Sequence, residues 1–408
     1  MSTYEFGIDS ELSLPDELQV VELGAPAGDA IDDIQAATLE AVRSPLEFPP
    51  LKDIVVPGDR VTLALANELP RSATVIAAII QELLDAGIEP DHIDVLRSEG
   101  DARLTKANPL GELPQGLRDQ ITVSVHDASE RDCLGLLGIS NSDQPIYLAR
   151  QIVDADVVLP IGVVKSTGSL GDLGVYGTLF PTFADVETQQ KLNATKSVLS
   201  QAEIDRRQEM AKEASWLLGV RMVVQLVPGA GDQLLHVLAG DADVVDRVAR
   251  EKCDEIWQCV TPERASLVLA TMPGSRQQQT WNNFARVLDS ALRVVQDDGA
   301  IAVCCDLKVK PGPALKRVGQ MESLDSAEQA IQKDRSDDAL TAKQLVRTLQ
   351  RARVYLLSQL DEDVVESLGV AYVSCPEELV RLASHHDSCI LLRNAHQTIA
   401  RVGENGEA

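Results

Sequence analysis

The run Val157-Val158-Leu159-Pro160-Ile161-Gly162-Val163-Val164-Lys165-Ser166-Thr167-Gly168-Ser169-Leu170-Gly171-Asp172-Leu173-Gly174 passes from a continuous apolar stretch into a Gly-rich one. Val157–Val163 has the length and β-branched content of a strand buried on both faces. Gly162–Gly174 has no helical period and predicts a loop leaving the C-terminal end of that strand, the side on which open α/β sheets bind ligands. Its glycines let backbone N–H groups approach an anion, and Lys165, Ser166, Thr167 and Gly168 form a candidate cradle for a phosphate or carboxylate. A flexible turn is the alternative. Gly-Lys-Ser is not contiguous and the glycines lack dinucleotide spacing, so neither standard phosphate motif is present.

Working toward the N-terminus, a polar lead-in is followed by Pro57-Gly58-Asp59, a strand at Val61–Ala66 and a periodic helix from Ala73 to Asp85 that Gly87 closes. Ile93–Leu96 and Ile121–Val125 are further strand candidates. Toward the C-terminus come a charged helix, Gln201–Leu218, apolar Met222–Val227 and a helix at Asp243–Gln258. A second alternation starts at Ser266–Thr271: helix Thr280–Val295, strand Ala300–Cys304, helix Thr341–Gln350, strand Val354–Leu357, helix Glu362–Leu368, strand Val370–Ser374, helix Pro376–Ala383 and strand Ser388–Leu392. The polar stretch Lys308–Asp338 reads as a loop or surface helix. Strands separated by helices predict right-handed crossovers and mostly parallel sheets. The fold class is therefore α/β, as two domains, residues 1–260 and 261–408, whose sheets face a cleft.

Bulk composition agrees. A chain of 408 residues with 44% apolar and 25% charged residues is globular and exceeds one ordinary core. Aromatics at 3% leave the cores to aliphatic side chains, against an all-β sandwich. A formal charge of −26 repels phosphate backbones and anionic lipid, so neither nucleic acid nor a membrane is the expected partner. A small-molecule ligand is, and nothing in the sequence excludes a homo-oligomer. Seven scattered cysteines point to free thiols, and the N-terminus has no basic-then-apolar leader. The expectation is a cytoplasmic protein.

Of six histidines, none lies between residues 127 and 235, around the Gly-rich loop. Adjacent His385 and His386 face different ways on a helix, and Cys253/Cys259 and Cys304/Cys305 lack ligand spacing, so no metal is expected. His92, His126, His236, His385, His386 and His396 read mainly as surface or capping residues. His126-Asp127 is the one pair with acid–base chemistry available, weakened because neighbours on a strand point to opposite faces. Gln279, Trp281 and Asn282 open a helix directly after a strand and the turn Met272-Pro273-Gly274, where a helix N-terminus can take a carboxylate. Helix capping with a packed Trp281 explains them equally.

In their order, Pro49-Pro50-Leu51 to Arg60, Val61–Ala66, Val125-His126-Asp127, Gln144–Arg150 leading into Ala155-Asp156-Val157, Ile161-Gly162 and Gln279-Thr280-Trp281-Asn282 resemble nickel-pincer lactate racemases along nearly the whole chain. The resemblance implies two α/β domains around a cleft holding a nickel-pincer nucleotide bound to a lysine, with a histidine on nickel. It also implies two acid–base histidines for racemisation of a 2-hydroxy acid. Its motifs place those histidines at Ala102 and Thr167, the cofactor lysine at Gly177 and the nickel ligand near Asn193. Arg71 and Asn67 stand nearest its Asp-x-Thr-Arg motif. Lys165, Lys191 and Lys196 are other candidates for cofactor attachment, and Arg103, His126 and Lys165 for catalysis. Three functions follow as expectations. The first is a binder of a small 2-hydroxy acid or nucleotide-like ligand, with pincer chemistry lost or altered and no cofactor. The second is an active isomerase, a 2-hydroxy acid racemase or epimerase using other groups. The third is a non-catalytic partner-binding protein.

Overall fold

The computed structural model describes residues 2–141, 143–166, 170–171, 173–194 and 198–403. β1 (Ser2–Phe6) and β2 (Ser10–Leu14) make an antiparallel hairpin, and β3 (Val20–Leu23) follows. Next come β4 (Val61–Leu65), β5 (Ile93–Arg97) and β6 (Thr122–Val125), then an antiparallel pair, β7 (Leu134–Ile139) and β8 (Pro145–Ala149). β9 (Val157–Val163), β10 (Met222–Pro228) and β11 (Leu234–Asp241) complete the first half of the fold. The second half supplies β12 (Gln258–Thr261), β13 (Ala265–Thr271), β14 (Val295–Cys304), β15 (Arg353–Leu357), β16 (Ala371–Val373), β17 (Cys389–Leu392) and β18 (Ile399–Val402).

Two six-stranded sheets result. The first has the order β11-β10-β9-β4-β5-β6 and is parallel except between β10 and β11. The second, β16-β15-β14-β13-β17-β3, is parallel throughout. All five residues of β4 are buried, as a strand covered on both faces requires. Helix Ser72–Asp85 packs Ile76, Ile79 and Ile80 against Leu63, Val95 and Leu159. On the second sheet, helices Trp281–Leu292 and Ala339–Leu349 cover one face. The β1–β2 hairpin and helix Pro376–Ser384 cover the other, through Tyr4, Phe6, Leu12, Leu14 and Leu379. Leu12 and Leu14 are fully buried there, each contributing about 1.5–3 kcal/mol.

Each sheet has a point where its strand order reverses. The chain runs from β4 outward to β5 and β6, then returns with β9 on the other side of β4. In the second sheet it runs from β13 to β14, β15 and β16 and returns with β17. Such reversals leave a crevice at the strand C-termini, and the two crevices face each other. Gln278 Nε2 donates to the Glu68 carbonyl at 3.0 Å, Arg286 Nη1 to the Ser166 carbonyl at 3.1 Å, and the Gly231 N–H to Asn394 Oδ1 at 3.1 Å.

The architecture is the α/β arrangement with mostly parallel sheets that strand–helix order predicts. Several elements depart from expectation. The polar lead-in holds three strands and helix Ile34–Arg43. Lys308–Asp338 folds into two helices, Pro313–Gly319 and Leu324–Ile331, whose Leu315 and Ile331 enter the core. Among the described residues, no helix is long and apolar enough to cross a membrane.

Candidate ligand site at the seam between the sheets

Glu68 lies three residues past β4 with φ 61°, a left-handed turn that aims its carboxylate back at the strand ends. Lys165, two residues past β9, forms an ion pair with Glu68, whose side chain is 4% exposed. From the second sheet, Thr280 caps helix Trp281–Leu292 by accepting from the Asn283 N–H at 3.1 Å and donates its hydroxyl to Glu68 Oε1 at 2.5 Å. Burial alone would push the Glu68 carboxyl upward; Lys165 and the Thr280 hydroxyl outweigh it and hold the pKa below the ordinary value.

His396, from the loop after β17, completes the cluster. It is 1% exposed, and neither ring nitrogen has a hydrogen-bond partner. Burial drives its pKa down to about 3; Glu68 pulls the other way, while Lys165 and Arg286 add repulsion. The neighbouring Gln397 is also buried, with Oε1 unpartnered. Orphaned polar atoms of this kind are uncommon in a finished core and mark places where water or a ligand belongs.

The residues singled out in the sequence divide three ways. Lys165 and Ser166 are in the cluster, Ser166 through its carbonyl bond with Arg286. Thr167 and Gly168 lie outside the described residues. Arg71, exposed and left-handed at φ 52°, lines a separate groove of about 540 Å³ with Asp232, Gly274 and Ser275. Gln279, Trp281 and Asn282 brace their own surroundings. The Gln279 amide donates to Met272 and Gly274 carbonyls at 3.0 and 3.1 Å, and Trp281 Nε1 to the Val309 carbonyl at 2.8 Å. Asn282 Oδ1 accepts from the Thr341 hydroxyl at 3.2 Å.

Arg103 is exposed and paired with Glu99. His126 is buried, with Nε2 2.9 Å from the Ala184 carbonyl and its ring edge-on to Phe183. Asp127, like His126 just past the end of β6, turns outward to Ser129, so the two side chains part. Burial lowers the His126 pKa. Two histidines expected at the surface, His126 and His396, are thus interior. Glu68, Thr280, Arg286 and His396 escape sequence reasoning because each is a single polar residue that only strand order brings together.

Residues 6–193 match the family model described as the lactate racemase N-terminal domain. That stretch of the chain is similar to the lactate racemase N-terminal domain. The lactate racemase apoprotein of Thermoanaerobacterium thermosaccharolyticum superposes with a TM-score of 0.78 at 14% identity, covering 98% of this chain and 100% of that one. A Thermotoga maritima protein gives 0.62 at 10% identity, over 92% and 100%. No curated protein sequence matches the chain.

The positions that the family resemblance assigns to the nickel-pincer group are Ala102, Thr167, Gly177 and Asn193. Gly177 ends a short helix, Gly174–Gly177, and a Cβ there would fall 2.7 Å from the Leu173 Cβ. The Asn193 amide is bonded to the Asp337 carboxylate at 3.3 Å. Ala102 offers only a methyl, and Thr167 is not among the described residues. Of the alternative lysines, Lys165 is held by Glu68, Lys191 is exposed on helix Val186–Asn193, and Lys196 lies outside the described residues. Among the described residues, no three His, Cys, Asp or Glu side chains converge as metal ligands.

Proposed function

We propose that this lactate racemase-like chain binds a small 2-hydroxy acid where the two sheets meet, without nickel-pincer racemase chemistry. The observation that carries the reading is the convergence of Glu68, Lys165, Thr280, Arg286 and His396 at the facing strand-order reversals. A 2-hydroxy acid carries a carboxylate and a hydroxyl on adjacent carbons. Cations at Lys165 and Arg286 suit the first, and the unpartnered imidazole of His396 suits the second. A bound hydroxyl would satisfy a ring nitrogen that has no partner, so the ligand returns free energy that burial of His396 costs. In this reading the protein is cytoplasmic, which seven free thiols support.

Thermal-shift and calorimetric titration with D- and L-lactate and larger 2-hydroxy acids, each beside its deoxy analogue, tests the binding. Hydroxy acids are expected to raise the melting temperature and the deoxy acids to do so far less. Equal shifts would remove the role given to His396; no shift with any of them would remove the site. Intact-mass and nickel analysis of protein made together with the cofactor-synthesis enzymes tests the chemistry. An unmodified, nickel-free chain is expected, and a covalent adduct with stoichiometric nickel would overturn the proposal.

A further inference from the structure

The antiparallel pair β7–β8 has two unlike faces. Ile146 and Leu148 turn inward and are buried with Phe183 and Ala211. On the opposite face Leu136 stands across from Tyr147 and Ile139 across from Pro145, and all four are exposed, Ile139 by 66%. Neither strand carries a charged residue. Helix Gln201–Leu218 brings a further apolar side chain to the edge of this face. Glu213 Oε1 accepts from the Asn141 N–H at 2.6 Å just past β7, and a Cβ on Gly138 would lie 3.7 Å from Leu217 Cδ1. These contacts hold the tip of the hairpin about one helical turn from Trp216, whose indole is 77% exposed.

Aliphatic and aromatic side chains left open together, inside a polar rim, mark a surface that another molecule covers. The rim here is acidic. Glu209 and Glu213 precede Trp216 on one stripe of the helix, at i, i+4 and i+7, and Asp143 is exposed in the turn between the two strands. Lys212, a turn before Trp216, is paired with Asp243. A second copy of the chain laid on this face about a two-fold axis would set these acids against their own counterparts, with −26 charges on each copy. A basic partner meets the opposite sign at the same positions.

We propose that this face docks a basic amphipathic segment of another protein, with apolar side chains against Leu136, Ile139, Tyr147 and Trp216 and Lys or Arg over Asp143, Glu209 and Glu213. Burial of the apolar anchors, an exposed Trp and Tyr among them, supplies the affinity. The flanking charges set the orientation and the speed of encounter. The inference is independent of the hydroxy-acid site, since it uses none of its residues.

Trp216 reports binding directly, because Trp257 and Trp281 are buried. The full-length protein is titrated, by tryptophan emission, with three peptides of about 18 residues: an amphipathic Leu/Lys helix, a Leu/Glu helix of the same pattern, and oligolysine. A saturable blue shift is expected with the Leu/Lys peptide, and binding weaker by about tenfold or more with the other two. Leu136→Ser and Ile139→Ser change exposed positions and are expected to melt with wild type while weakening the Leu/Lys peptide about tenfold or more. Glu209→Lys is expected to weaken it less and to flatten its salt dependence. Should a Ser variant melt lower, Trp216→Ser followed by calorimetry takes its place. Unchanged binding in these variants would overturn the proposal, as would equal binding of oligolysine or no binding of the Leu/Lys peptide to wild type. Two further outcomes give the face to another occupant and overturn it as well. One is a sedimenting mass that rises with wild-type concentration and stays monomeric in Ile139→Ser, which means a second copy. The other is an emission shift with neutral phosphatidylcholine vesicles that Ile139→Ser abolishes, which means a lipid surface.

Discussion

Burial of His396 lowers its pKa from 6.5 to about 3, so the unfolded chain holds the imidazole proton far more tightly than the folded one. Between those two values acidification favours unfolding by about 1.4 kcal/mol per pH unit; above 6.5 the residue is neutral in both states and has no effect. Urea titrations of wild type and His396→Phe at pH 7 and pH 5 isolate the contribution from that of the many carboxylates. Wild type is expected to lose roughly 2 kcal/mol more than the variant over that interval. Matching losses would mean that the folded imidazole titrates near its ordinary value. Little of this was legible in the sequence, where His396 looks like any polar residue near a strand end. Lys165 and Ser166 were legible, because a Gly-rich run after a buried strand announces itself. Glu68 and Thr280 were not, since their contact requires knowing which strands neighbour which.

Among elements, the long helices were the most readable. Gln201–Leu218 is observed with the bounds expected, fixed by the Ser200–Glu203 capping box at one end and Gly219 in the left-handed region at the other. The short strands β3, β7, β8, β12 and β18 lack such signals, and β3 and β12 find partners hundreds or more than a hundred residues away. The helix Pro313–Gly319 is short and owes its start to Asp338, whose carboxylate accepts from Ala314 N–H at 3.1 Å and Leu315 N–H at 3.0 Å. Asp338→Ala removes both bonds and is expected to cost about 1–2 kcal/mol in chemical denaturation, with local loss of amide protection over 313–319. Uniform loss across the chain would assign the residue a different part.

At the scale of the molecule, two halves dividing near residue 260 remain our proposal for the domains, and the chain's start crosses that division. Strand β3 is the edge of the second sheet, paired Val20 to Cys389, and the β1–β2 hairpin covers that sheet's second face. The turn at Gly7 is bonded to the exit from β13, with its N–H on the Met272 carbonyl at 3.0 Å and its carbonyl accepting from Gly274 at 2.8 Å. A fragment 261–408 is therefore expected to expose an apolar face and aggregate. The same fragment carrying residues 1–24 through a flexible linker of about 20 residues should unfold cooperatively. Comparable solubility of the two would show that the hairpin is dispensable.

The pairing of β3 with β17 also sets a clock for synthesis. Val20 leaves the ribosome roughly 370 residues before its partner Cys389 does. At about 5–20 residues per second, the β1–β2 hairpin and β3 wait about 20–70 s for the surface they cover. Throughout that interval Leu12 and Leu14 have no native cover, so the nascent chain carries an apolar segment suited to a chaperone that binds early and lets go late.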